Sequence, residues 1–347
     1  MLNFGELVNT VQRNCHISDA RYAGDYTLCV FLLKMRELYR WEHEIPFTGV
    51  LSKDAIGEWL KEREQMWDRM EASEFEPLPL GGERPDPFDS AAINRELVPR
   101  GYVYSGGYGR FNKPHFFLGN LARAERRDGL TIYVSSCEYA RDLVAPPAMI
   151  QSDVIYVRQE SLRRFIWEKI EEHRWSPVNT AMAEALVAYR FDDDEAAGLE
   201  RMVDGETETL ILHELGEGQA GRLLGEAWHT MLASLARSKA EIMARAVRDL
   251  LADCLQTLPA LAARGDAAAL HFYFANFGGM RRYLAPELVA AYRRWSVDGE
   301  ARAIDEAATI GRERWLDTAR TMLRLHAERG TEAGPAIETL LDPARAA

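Results

Sequence analysis

The densest run of groups able to hold a cation is His213-Glu214-Leu215-Gly216-Glu217, followed shortly by Glu226-Ala227-Trp228-His229. On a helix His213 and Glu217 are four residues apart and share a face; Glu226 and His229, three apart, share one too. Carboxylate with imidazole at these spacings is how helical bundles hold iron or manganese, and Glu-x-x-His is the repeated element of two-metal carboxylate sites. His213, Glu217, Glu226 and His229 are therefore the candidate metal ligands. An unbroken helix would set Glu217 and His229 about 18 Å apart, so the two pairs meet at one centre only if the helix breaks at a glycine. The second reading of the same residues is a set of surface carboxylates with capping or core-bonded histidines. His213-Glu214-Leu-Gly-Glu217 also touches the zinc-protease pattern His-Glu-x-x-His, but Glu217 stands where the second imidazole is required, and the protease reading is set aside.

Ser105-Gly-Gly-Tyr-Gly109-Arg110-Phe-Asn-Lys113 is the second feature. Glycines beside basic groups can cradle an anion through backbone amides, which makes Arg110 and Lys113 candidate anion-binding residues. The spacing is not that of a Walker loop, and a hairpin that uses glycine for positive φ is the plainer reading. Arg100, Arg123, Arg126 and Arg127 surround it, interleaved with Tyr102, Tyr104, Tyr108 and Phe111. A third feature, Leu270-His271-Phe-Tyr-Phe-Ala-Asn-Phe-Gly278-Gly279, is aromatic on all sides, as expected of a buried helix in which His271 finds a hydrogen-bond partner.

Residues 213–232, a carboxylate- and glycine-containing helix followed by His229-Thr-Met-Leu232, resemble a segment of heme-oxygenase-like and ferritin-like iron oxidases. The resemblance is confined to these residues of a 347-residue chain. It implies a helical bundle in which iron activates dioxygen or peroxide to oxidise a small organic substrate. The chain departs from that family in lacking a second motif for the later ligands. Residues of suitable type are Glu42, His43 and Glu44, then Glu168, Glu172 and His173, then His271 and His326.

The elements that must position these groups follow from apolar spacing. Residues 26–48 read as a helix pair entering a core, and Ser52 is a fitting N-cap for a helix carrying Trp59, Met66, Trp67 and Met70. Phe75 to Ser90 holds four prolines and a Gly-Gly pair, which exclude a helix interior or a central strand. Short aromatic and β-branched runs follow at 101–104, 115–118, 130–135 and 154–157, with Asp128-Gly129 as a hairpin bend. From Ser161 the pattern is helical again, with long helices expected at 206–236, 239–258, 267–283, 286–295 and 301–329. The expected fold is mainly α: a multi-helix bundle carrying a small antiparallel β insertion. Its expected parts are N-terminal helices 1–75, a Pro/Gly-rich linker 76–98, the insertion 99–160, a C-terminal bundle 161–330 packing with 1–75, and a loosely ordered tail 331–347.

Composition narrows function. Hydrophobic residues make up 47% and charged residues 28%, values of a soluble globular chain rather than a disordered one. A formal net charge of −12 argues against broad nucleic-acid binding, which needs clustered Lys and Arg. The apolar stretch from Tyr26 to Met35 is too short to span a bilayer. Cys15, Cys29, Cys137 and Cys254 are scattered without a C-x-x-C pair, which suits reduced, buried thiols in a cytoplasmic protein. No secretory signal or lipidation pattern is expected. Two functions fit: a metal-dependent oxidoreductase using iron or manganese on a small organic substrate, or a non-enzymatic binding or assembly protein that recognises a protein partner through the β insertion and an acidic surface. Either is compatible with a homo-oligomer.

Overall fold

A computed structural model describes residues 2–109 and 113–342. The chain is mainly α-helical and divides into two compact units, residues 1–126 with 131–167, and residues 127–130 with 168–347.

In the first unit, α1 (Phe4–Tyr22) starts at Asn3, whose side chain accepts from the Glu6 amide. Helix α2 (Leu28–Glu42) follows, and α3 (Lys53–Met70) is capped by Ser52 as the sequence predicts, its hydroxyl accepting from the Ala55 amide. Asp89 caps α4 (Ser90–Leu97) in the same way. The strands are β1 (Tyr102–Tyr108), β2 (Pro114–Arg127), β3 (Leu130–Arg141), β4 (Ala148–Gln151) and β5 (Val154–Arg158), in the order β1-β2-β3-β5-β4. Strands β1 and β2 are antiparallel with Val103 opposite Gly119, and β4 and β5 are antiparallel with Ile150 opposite Ile155. Strand β5 lies parallel to β3, Ile132 opposite Ile155, so the sheet is mixed rather than the small antiparallel insertion expected. The reason is that alternation along a strand fixes which face is buried and says nothing about the direction of its neighbour.

The sheet is not an appendage. Leu7, Val11 and Cys15 of α1 share one core with Phe116, Leu118 and Ala140 of the sheet, so the apolar face of α1 is used within this unit. The Pro-rich stretch contributes too: Leu78 and Leu80 are buried in that core beside Ile93 and Leu97 of α4. Helix α2 is less buried than its composition suggests, with Leu28, Val30, Leu32 and Leu33 exposed. Cys15 and Cys254 are buried thiols, as expected, whereas Cys29 and Cys137 are exposed.

The boundary between the units falls inside α5 (Gln159–Trp175). The second unit is helical: α6 (Thr180–Ala188), α7 (Glu195–Leu224), α8 (Glu226–Ser234), α9 (Lys239–Ala252), a π-helical turn (Asp253–Thr257), α10 (Leu258–Arg264), α11 (Ala267–Ala275), α12 (Gly279–Leu284), α13 (Pro286–Asp298), α14 (Arg302–Arg329) and α15 (Gly334–Leu340). Three expected long helices are broken. Gly225, at φ +69°, separates α7 from α8, the π turn separates α9 from α10, and residues 276–278 separate α11 from α12. The core gathers Trp228, Met231, Leu250, Leu270 and Trp315. Of the segment after Gly330, expected to be loose, the described residues form α15 and bury Ile337 and, one turn further on, Leu341, whereas residues 343–347 lie outside the described residues.

Candidate metal centre

Gly216 decides how the centre is built. It lies on α7 against the end of α9, and a Cβ there would sit 2.4 Å from the Ala252 carbonyl oxygen and 3.1 Å from its Cα. Only glycine lets the two backbones come this close. The residues flanking that contact, His213 and Glu217 on α7, then face Asp249 of α9 and Asp253 of the π turn. His213, Glu217 and Asp249 each offer one ligand atom, and these atoms all lie within 4.8 Å of one another.

The imidazole is held from behind. His213 Nδ1 is 2.8 Å from Asp253 Oδ1, while Nε2 faces Glu217 Oε1 at 3.6 Å. Asp253 is fully buried, and its other oxygen accepts from the Tyr273 hydroxyl at 2.8 Å and from Arg281 at 2.9 Å. A carboxylate on one ring nitrogen fixes the tautomer and points the other nitrogen at a cation, the arrangement common to metal-bound histidines. The π turn adds a residue to the helix at this point, a distortion that recurs at functional sites.

Charge in the cluster is unevenly distributed. Burial opposes ionisation of Asp253, but the His213 and Arg281 charges outweigh it and hold the carboxyl down at about 2. Burial likewise opposes charging of His213, yet Asp253 and Glu217 lift it well above its ordinary value. Glu217 is lowered to about 2 against its burial by Arg248, which donates to it at 2.7 Å, and by His213. Asp249 is raised by burial and by the Glu217 charge. Glu214, 7% exposed, is pushed up to about 8 by burial and then by Glu217, and its Oε2 has no hydrogen-bond partner among the described residues. A cation here would meet one imidazole and two carboxylates, a hard donor set suited to iron or manganese.

The other sequence candidates lie elsewhere. Gly225 turns α8 away from the line of α7, leaving Glu226 95% and His229 63% exposed, 3.6 Å from each other and outside the cluster. His271 is bonded to the Tyr292 hydroxyl at 2.9 Å, the core role expected of it. Arg110 lies outside the described residues. Lys113 is ion-paired with Asp25 at 2.8 Å and lies over the Tyr22 and Tyr26 rings. Gly106 and Gly107 belong to β1, where a Cβ would collide with the Pro87 carbonyl and the Gln151 side chain respectively, so they serve close packing. Asp249 and Asp253 were missed by the sequence reading. Their four-residue spacing in Asp249-Leu-Leu-Ala-Asp253 was the available signal.

Two family models match, an N-terminal domain over residues 6–158 and a C-terminal domain over residues 163–344, both described as DUF6866, a family of unknown function. The chain belongs to the DUF6866 family. Neither a curated protein nor a solved structure matches it. His213, Glu217 and Asp249 all lie within the C-terminal DUF6866 domain. Among the described residues no helix is long and apolar enough to cross a membrane.

Proposed function

We propose that the C-terminal DUF6866 domain binds one iron or manganese ion through His213, Glu217 and Asp249 and uses it to oxidise a small organic substrate. The observation that carries this reading is the convergence of three ligand atoms within 4.8 Å, with the imidazole oriented by a buried carboxylate behind it. Three protein ligands leave coordination positions open for water, dioxygen or substrate, as oxidation chemistry at iron requires. Glu214, buried with a free oxygen, adds a carboxyl group beside the cluster that can hold or release a proton near neutral pH. The test is metal analysis of protein purified without chelator, followed by Mn²⁺ and anaerobic Fe²⁺ titration. Stoichiometric metal lost in His213→Ala and Asp249→Ala supports the proposal. Metal-free protein that takes up neither ion at millimolar concentration refutes it.

One observation favours the second reading, a non-enzymatic binding protein. Arg248 lies 2.7 Å from Glu217 and 3.5 Å from Asp249, so a guanidinium already compensates both carboxylates. On that reading the network orders α7 against α9, and Arg248→Met lowers stability. On the metal reading the same substitution raises metal affinity, because the ion loses its competitor.

A further inference from the structure

The N-terminal domain contains a cavity of about 620 Å³, lined on its apolar side by Trp41, Phe47 and Tyr139. That volume is typical of small-molecule sites. Arg141, at the end of β3, also lines it and is 2% exposed, yet its Nε has no hydrogen-bond partner among the described residues. The Glu138 carboxylate lies 3.8 Å from that Nε, beyond hydrogen-bond reach. Glu138 is already engaged, receiving both arms of Arg158 at 2.9 and 2.6 Å and the Ser161 hydroxyl at 2.7 Å. The same defect recurs at Arg40, a second lining residue: its buried Nε has no hydrogen bond and stands 3.4 Å from Glu37 Oε2.

A buried guanidinium N–H without an acceptor is costly, and an acceptor entering the cavity removes that cost. The Arg141 charge is under strain as well, since burial and the neighbouring Arg164 and Arg158 hold it down to about 10. The lining also restricts which anion fits. Five glutamates, Glu37, Glu42, Glu44, Glu138 and Glu160, face four arginines around the cavity, so a dianion meets strong repulsion. A monoanion with two coplanar oxygens matches a guanidinium edge, and a flat apolar body matches the aromatic wall. The Arg141 guanidinium lies over the Trp41 ring, 5.5 Å from its centroid, so cationic and aromatic surfaces adjoin.

We propose that this cavity binds a small aromatic carboxylate, whose oxygens accept from Arg141 and whose ring lies against Trp41, Phe47 and Tyr139. The proposal is independent of the metal centre.

Cys137 gives a direct readout, because it is exposed and lines the cavity, whereas Cys29 is exposed and does not line it. The whole protein is alkylated with iodoacetamide at constant pH and ionic strength, and both thiols are followed by peptide mass spectrometry. With a fragment dissociation constant of about 1–5 mM, roughly 10 mM benzoate slows Cys137 alkylation about three- to tenfold and leaves Cys29 unchanged. Benzamide, neutral and of the same shape, gives no protection, and phenyl phosphate gives less than benzoate. Arg141→Met abolishes the benzoate effect; should that variant fail to fold, the wild-type comparison of benzoate with benzamide decides alone. Equal protection by benzamide, stronger protection by phenyl phosphate, or no protection by benzoate overturns the proposal.

Discussion

Gly216→Ala tests whether the centre depends on close approach of two backbones. The new methyl would lie 2.4 Å from the Ala252 carbonyl oxygen, with the Ala252 carbonyl carbon and Cα at 2.9 and 3.1 Å. A comfortable carbon–oxygen contact is about 3.3 Å, so α9 must retreat by about 1 Å. The neighbours are backbone atoms and cannot rotate aside. Overpacking of this kind costs about 1–3 kcal/mol, against which alanine recovers about 1 kcal/mol of helix propensity. Gly221, on the same helix, supplies the control, since a Cβ there meets nothing within 4 Å. Gly221→Ala collects the propensity gain alone, so the difference between the two variants isolates the clash at about 1–3 kcal/mol. With a urea slope of about 2.5 kcal/mol per molar, the Gly216→Ala midpoint falls about 0.4–1.2 M below that of Gly221→Ala. A retreat of 1 Å also exceeds the tolerance of a preorganised ligand set, so Mn²⁺ affinity drops at least about tenfold in Gly216→Ala only. If the Gly216→Ala midpoint equals or exceeds that of Gly221→Ala, the close-approach argument is wrong.

The remaining expectations concern the charges around the centre. His213 carries a pKa raised above its unfolded value, so its stabilising contribution is complete below about pH 6.5 and is lost as pH rises through the folded value. An incoming ion must displace that proton, and Mn²⁺ affinity measured calorimetrically at successive pH values should climb about tenfold per unit below the folded pKa; a flat profile removes His213 from the ligand set. Asp253→Ala strands His213, Tyr273 and Arg281 around a buried gap and should cost about 3–5 kcal/mol in urea unfolding. A cost near zero would mean that water already serves those donors. Glu226→Ala and His229→Ala, on an exposed face of α8, should leave metal content and unfolding midpoint unchanged. Glu206, buried beside the Tyr189 hydroxyl at 2.7 Å, is pushed up to about 8 by burial. Its stabilising effect is present below about pH 4.5 and is lost as pH rises through 8, so Glu206→Gln should flatten the stability profile between those limits. Parallel profiles for wild type and variant would count against a protonated Glu206.

Half of the centre was legible because half of it is local. His213 and Glu217 are one helical turn apart, and turn spacing can be read directly from the chain. Asp249 and Asp253 come from another helix, and pairing between helices depends on the Gly216 contact, which a single sequence does not reveal. Glu226 and His229 carry the same local signal as His213 and Glu217 but follow Gly225, whose positive φ redirects the chain. Ligand spacing without knowledge of the helix end is therefore ambiguous. Strands β1, β2, β3 and β5 were located by their aromatic and β-branched runs, but β4 was not, and neither was the parallel pairing of β3 with β5, because direction is set by the route of the connection through β4. The sequence places a boundary at residue 160, where α5 begins, but the compact units part inside α5, after Trp167, because the helix continues there without a break.

The bonds that fasten α1 to the sheet set a timetable for synthesis. Gln12 exchanges hydrogen bonds with the Arg141 backbone, and Asp19 receives the Leu143 amide, across separations of 129 and 124 residues. At a translation rate of about 5–20 residues per second, α1 therefore waits roughly 6–25 s for its partners to leave the ribosome. Until Leu78, Ile93 and the strand residues Phe116 and Leu118 emerge in turn, Leu7, Val11 and Cys15 lack the partners that cover them. The N-terminal domain is thus a late-closing structure, with slow β assembly built into its topology.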